Sequence, residues 1–92
     1  MEVTATPTFK RRFKKAVSKE QNAIEEAVEE IVLNPLNGSI KKGDLTGFRV
    51  FKFKLGNTQL LIAYVYKEPN QIELIDFGSH ENFYRNLKRR FN

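Results

Sequence analysis

Residues 48–77 read FRVFKFKLGNTQLLIAYVYKEPNQIELIDF, and their periodicity decides the fold. In FRVFKFKL (48–55), Phe51, Phe53 and Leu55 alternate with Lys52 and Lys54. That period of two puts apolar side chains on one face of a strand and charged ones on the other. Gly56-Asn57 has the composition of a two-residue hairpin turn. TQLLIAYVY (58–66) is almost continuously apolar, as a central strand covered on both faces should be. KEPN (67–70) places Pro and Asn where a second turn wants them. QIELIDF (71–77) then closes a three-strand meander.

N-terminal to the meander, EVTAT (2–6) reads as a short first strand. Thr6-Pro7 is an N-cap followed by proline at the first helical position. Phe9, Phe13, Ala16 and Val17 then recur at helical spacing among Lys10, Arg11, Arg12, Lys14 and Lys15. Ser18 and Gln21 match a capping box for a second helix. Its apolar stripe is Ile24, Ala27, Val28 and Ile31, with Glu25, Glu26, Glu29 and Glu30 facing away. Asn34-Pro35 ends it. LNGSIKKGDLTG (36–47) reads as a loop. After the meander, Gly78-Ser79 leads into a closing helix with Ser79 as N-cap. The predicted fold is α+β in the order β-α-α-β-β-β-α. A helical hairpin, basic on one arm and acidic on the other, packs on one face of a small antiparallel sheet, and residues 1–92 form one domain.

A chain of 92 residues has little interior to spare, so a site is expected in a shallow surface groove. There is no cysteine, which removes disulfides and thiolate zinc sites. With a single histidine, a transition-metal centre is disfavoured and no cofactor is expected. MEVTATPTFKRR lacks an apolar signal core and no run is long enough to span a bilayer, which suits a cytoplasmic protein. The net charge of +5 favours a polyanionic partner, nucleic acid above all, or an acidic protein.

Two groups of residues carry candidate chemistry. Lys52 and Lys54 stand about 7 Å apart on one strand face, and a phosphate between them relieves their repulsion. The same pair also reads as a solvated strand face that discourages edge pairing. In the closing helix, His80, Tyr84 and Lys88 fall at i, i+4 and i+8, one line along the surface. A helix N-terminus disfavours a charged imidazole, leaving a neutral group ready to accept a proton. Equally, His80 reads as an ordinary first-turn residue, and Arg85, Lys88, Arg89 and Arg90 as a solvated basic end.

The order of elements, with LTGFRVFKFKL, LLIAYVY and DFGSHENFYRNLKR, resembles the RelE/ParE superfamily of bacterial toxins from type II toxin–antitoxin modules. The resemblance spans essentially the whole chain and is strongest from Leu45 to Arg89. It implies a toxin that cuts messenger RNA in the ribosomal A site without a metal. It points to Lys52 and Lys54 on the strand, His80 after the last strand's glycine, and Tyr84 in the final helix as catalytic residues. Arg49, Arg85, Lys88 and Arg89 are then RNA- or phosphate-binding. The implied partner is an acidic or amphipathic antitoxin that masks the basic surface. One departure is plain: many of these nucleases carry an arginine on the strand after the hairpin, where TQLLIAY offers only Gln59. Gyrase-inhibiting members share the fold and lack the nuclease set, so inhibition of DNA gyrase is the alternative activity. For the nuclease, cleavage by the adjacent 2′-OH needs a base, positive charge on the phosphate and an acid at the leaving oxygen. Lys52 and Lys54 are assigned to the phosphate, His80 to proton transfer, and Tyr84 to orienting or stacking on a base.

Overall fold

The computed structural model describes residues 1–40 and 47–79. The chain runs β1 (Glu2–Ala5), α1 (Pro7–Lys15), α2 (Ser18–Leu33), β2 (Ser39–Ile40), β3 (Arg49–Leu55), β4 (Thr58–Lys67) and β5 (Gln71–Ser79). The sheet order is β1-β5-β4-β3-β2. The meander forms as its pattern requires, with Gly56-Asn57 turning β3 into β4 and Gly56 at φ 61°. That left-handed conformation is cheap only for glycine. β4 lies at the centre, and Leu60, Leu61, Ile62, Ala63 and Tyr64 are all buried.

Four features depart from the expectation. The sheet is mixed, because β1 pairs parallel to β5, from Glu2 opposite Gln71 to Ala5 opposite Leu74. The intervening helices return the chain to the far edge of the sheet, a crossover that yields parallel pairing. The 36–47 loop contains a two-residue strand, β2, paired antiparallel with Arg49 and Val50. The capping box does not form: Val17 is the N-cap of α2 and no side chain caps it. Only Ala16 and Val17 separate the helices, so Gln21 instead donates from Nε2 to the Phe13 carbonyl of α1, at 2.7 Å. Finally, β5 continues through Gly78 and Ser79, which pair with Leu61 and Leu60. The predicted closing helix lies outside the described residues.

Thr6 performs its predicted role and one more. Its Oγ1 accepts from Phe9 N–H at 3.1 Å and donates to the Ile75 carbonyl at 2.6 Å. Ile75 is the unopposed residue of a bulge, since Ala63 faces Asp76 while Tyr64 faces Leu74. The cap of α1 therefore also satisfies the backbone at an irregular point of β5.

The strand alternation separates two apolar clusters. Phe9 of α1 and Ile24, Ala27 and Ile31 of α2 pack with Phe51, Ile62, Tyr64, Ile72, Leu74 and Phe77 on the helical face. Phe9 meets Phe77 edge-on with centroids 5.1 Å apart. Val50, Leu61, Ala63 and Ile75 form a second buried cluster, and the strand alternation assigns it to the opposite face.

Tyr64 ties the chain after α2 to this core. Its hydroxyl donates to the Pro35 carbonyl at 2.7 Å and accepts from Gly38 N–H at 2.9 Å. A Cβ at Gly38 would stand 2.6 Å from that hydroxyl. Gly38→Ala should therefore lower stability by about 1–3 kcal/mol through overpacking. Tyr64→Phe should cost a similar amount, about 1–3 kcal/mol, by leaving the Gly38 and Pro35 groups unpaired. Urea denaturation checks both, and the Gly38→Ala cost should shrink in the Tyr64→Phe background because the clashing oxygen is gone.

Burial pushes the Tyr64 phenol above its ordinary value of 10.0, against smaller opposing effects of the Gly38 hydrogen bond and Arg49. The phenol thus ionises more readily in the unfolded chain, so its stabilising contribution is full below pH 10 and is lost as pH rises through the higher folded value. Wild type should lose more stability than Tyr64→Phe on titration above pH 10, measured as the difference between their urea midpoints.

Candidate functional site

β3 presents the candidate lysines because its other face is needed for the core. Phe51 and Phe53 turn toward the helices, with rings 6.2 Å apart and nearly parallel, so Lys52 and Lys54 take the opposite face and are exposed. The register sets their neighbours. Lys54 lies opposite Gln59, and Lys52 lies opposite Leu61, which in turn faces Gly78. Further along the same face, Val50, Ala63 and Ile75 are buried. The lysines thus sit where a covered apolar surface gives way to solvent, and Gly78 adds no side chain to that boundary.

Among the described residues neither lysine pairs with a carboxylate, and the ion pairs there are Arg12–Asp76 and Lys67–Glu73. The two lysines are not equivalent. Lys54 also borders a hollow of about 180 Å³ lined by Phe53, Ala23, Ala27, Glu26 and Glu30. Lys54 thus shares a hollow with two carboxylates of α2, and Lys52 does not line it. Beyond Val50, β3 has no described partner on its outer side, so the lysines ride on a strand edge.

Arg49 does not join them. Its place in the alternation is the helical face, and its Nη1 donates to the Gly38 carbonyl at 3.0 Å and the Leu36 carbonyl at 3.3 Å. It serves with Tyr64 to hold residues 35–38 against the sheet. The signal for this latch was in the sequence: a tyrosine inside an apolar run needs a partner for its hydroxyl. His80, Tyr84, Arg85, Lys88 and Arg89 lie outside the described residues. Among the described residues, no three His, Cys, Asp or Glu side chains converge as metal ligands, and no helix is long and apolar enough to cross a membrane.

The profile of the family described as ParE-like toxin of type II bacterial toxin-antitoxin system matches residues 3–88. The chain belongs to that family. Among solved structures, this ParE-like toxin is similar to the E. coli RelBE toxin-antitoxin complex, with a TM-score of 0.68 and 15% identity, covering 87% of this chain and 96% of that one. It is likewise similar to the isolated E. coli RelE toxin, with a TM-score of 0.66 and 15% identity over 97% of both chains. At that identity the likeness establishes a shared fold. No match was found among curated proteins.

A second polar feature of this toxin escaped the sequence reading. Asp76, 2% exposed, meets Arg12 Nε at 3.5 Å and accepts from Phe77 N–H at 2.8 Å. Arg12 is thereby set apart from the other cations of α1. It is partly solvated, so its bond to the buried carboxylate is worth about 1 kcal/mol. Arg12→Gln should lower the urea midpoint measurably, whereas Arg11→Gln, one residue away on the exposed face, should leave it unchanged.

Proposed function

We propose that this toxin is a ribosome-dependent endoribonuclease that cuts messenger RNA and so arrests translation. The observation that carries the reading is the exposed Lys52–Lys54 pair, unpaired with carboxylates among the described residues and held on the sheet face away from the helices. Two ammonium groups on one strand suit a phosphodiester whose transition state gathers negative charge. His80, which follows the last described strand, is assigned proton transfer to or from the 2′-OH or the leaving oxygen. Tyr84 is assigned stacking on a base. Arg85, Lys88 and Arg89 are assigned to neighbouring phosphates. The reaction as proposed runs on side chains alone, in the cytoplasm, with messenger RNA in the ribosomal A site.

The solved RelE is found in complex as RelBE toxin-antitoxin. By that likeness, the proposed protein partner is a cognate antitoxin that neutralises the basic surface.

A second reading is favoured by β4 itself. The positions facing the lysines are Gln59 and Leu61, and β4 contains no arginine. A face with that poorer set of charges suits a toxin that binds DNA gyrase without cutting RNA. Primer extension on cellular messages after induction, run beside a supercoiling assay, separates the two. New ends inside translated codons support the nuclease; blocked supercoiling with intact messages supports gyrase.

Lys52→Ala with Lys54→Ala should abolish cleavage in single-turnover assays on programmed ribosomes. The unfolding midpoint should barely move, since ordinary surface sites change stability within about 0.5 kcal/mol. Retained cleavage would reduce the pair to a solvated strand face. His80→Ala should lose about 10²–10⁴ in rate and one limb of the pH–rate profile, with ribosome affinity nearly intact.

A further inference from the structure

The cations of α1 are not used by the proposed site. The helix PTFKRRFKK carries Lys10, Arg11, Arg12, Lys14 and Lys15 and no acidic residue in its first turn. Arg12 is engaged by Asp76. Lys10, Arg11, Lys14 and Lys15 are exposed, and none pairs with a carboxylate among the described residues. The exposed glutamates of α2 form no ion pair with these four among the described residues, although Glu25 and Glu29 share a hollow with Lys10. The helix dipole favours Lys14 and Lys15 in the last turn, but it offers nothing to Lys10 and Arg11. Like charges at i, i+4, as at 10/14 and 11/15, cost helix stability.

At 3.6 residues per turn these four side chains spread over an arc of about 140°, in two rows about 6 Å long. With Phe13 they border an open hollow of about 540 Å³. The surface is open and densely cationic, which matches a phosphate backbone better than a peptide. An acidic helix would need an apolar seat. The seat next to α1, formed by Phe9, Phe13, Ile24 and Leu74, sets Glu25 and Glu29 against a single cation, Lys10, which disfavours such a partner.

We propose that the exposed face of α1 is a second RNA-docking surface, taking the backbone of a structured RNA. α1 lies on the helical side of the sheet through Phe9 and Phe77, whereas Lys52 and Lys54 are on the other side. The α1 surface therefore anchors the protein to a large RNA while the lysine face remains open. This holds whether or not the lysine face cuts.

The test uses the full chain with Lys52→Ala and Lys54→Ala, so that cleavage and the lysine face do not contribute. Binding to a 20-base-pair RNA duplex is followed by fluorescence anisotropy across a salt series. Adding Lys10→Gln with Lys14→Gln should weaken binding about tenfold and flatten the slope of log K against log salt by about 2, near 0.9 per lost phosphate contact. The control pair Lys19→Gln with Lys67→Gln removes the same charge from elsewhere and should have little effect. Equal effects from the two pairs would mean diffuse attraction to a basic protein and overturn the proposal. So would an unchanged slope, or a polyglutamate peptide that binds α1 as tightly as the duplex does. Circular dichroism of each variant guards against loss of the fold.

Discussion

Burial of β4 on both faces is the constraint from which the rest follows. Ile62 and Tyr64 belong to one core and Leu61 and Ala63 to the other. A strand in that position must be flanked on both sides by paired strands, which β3 and β5 supply. Each flanking strand then has one face committed to the helical core. For β3 the committed residues are Phe51 and Phe53, and Lys52 and Lys54 are displayed as a geometric consequence. Removing a methylene from β4 would loosen the cluster on whichever face that side chain points to, at the cost expected of close-packed interiors.

The parts of the fold that were legible in sequence are those specified by near neighbours. Alternation at 51–55, the Gly56-Asn57 turn, the Thr6 cap and the stripe at Ile24, Ala27 and Ile31 are all local signals. What escaped depends on contacts between distant segments. Whether EVTAT runs parallel or antiparallel is set by which later strand comes to lie beside it, here β5, and nothing in residues 2–6 encodes that. The lost capping box is similar. Ser18 and Gln21 have the right spacing, but a two-residue connection places the Phe13 carbonyl within reach of Gln21, and that bond replaces the cap. Extension of β5 over Gly78 and Ser79 likewise reflects pairing with Leu61 and Leu60 rather than the turn propensity of a Gly-Ser pair.

At the site, residue type proved a poorer guide than strand parity. Arg49, Lys52 and Lys54 share one strand and one charge, yet Arg49 falls on the other face and is occupied by backbone carbonyls. Its role is architectural: it and Tyr64 hold Gly38 from either side. Similarly, five cations crowd α1, and one of them, Arg12, is withdrawn by a buried aspartate. Arginine's rigid fork suits such fixed roles better than lysine's flexible ammonium. The lysines, by contrast, are left to solvent and to whatever anion approaches. Lys54 also borders the hollow that Glu26 and Glu30 line, which sets the two lysines in different surroundings.

The parallel pairing of β1 with β5 also has a consequence in time. Thr6 and Ile75 are 69 positions apart, so the first strand waits for nearly the last described one before it has a partner. Closing so long a loop is entropically costly and slows folding. During synthesis the two helices emerge first, with Phe9, Ile24 and Ile31 lacking the sheet that later covers them. The β3–β4 hairpin follows, and only when Gln71–Leu74 is free can the N-terminal edge close. A nascent chain of this toxin is thus a different object from the finished one. It is apolar, edge-exposed and not yet organised around its lysines, and it passes through that state each time it is made.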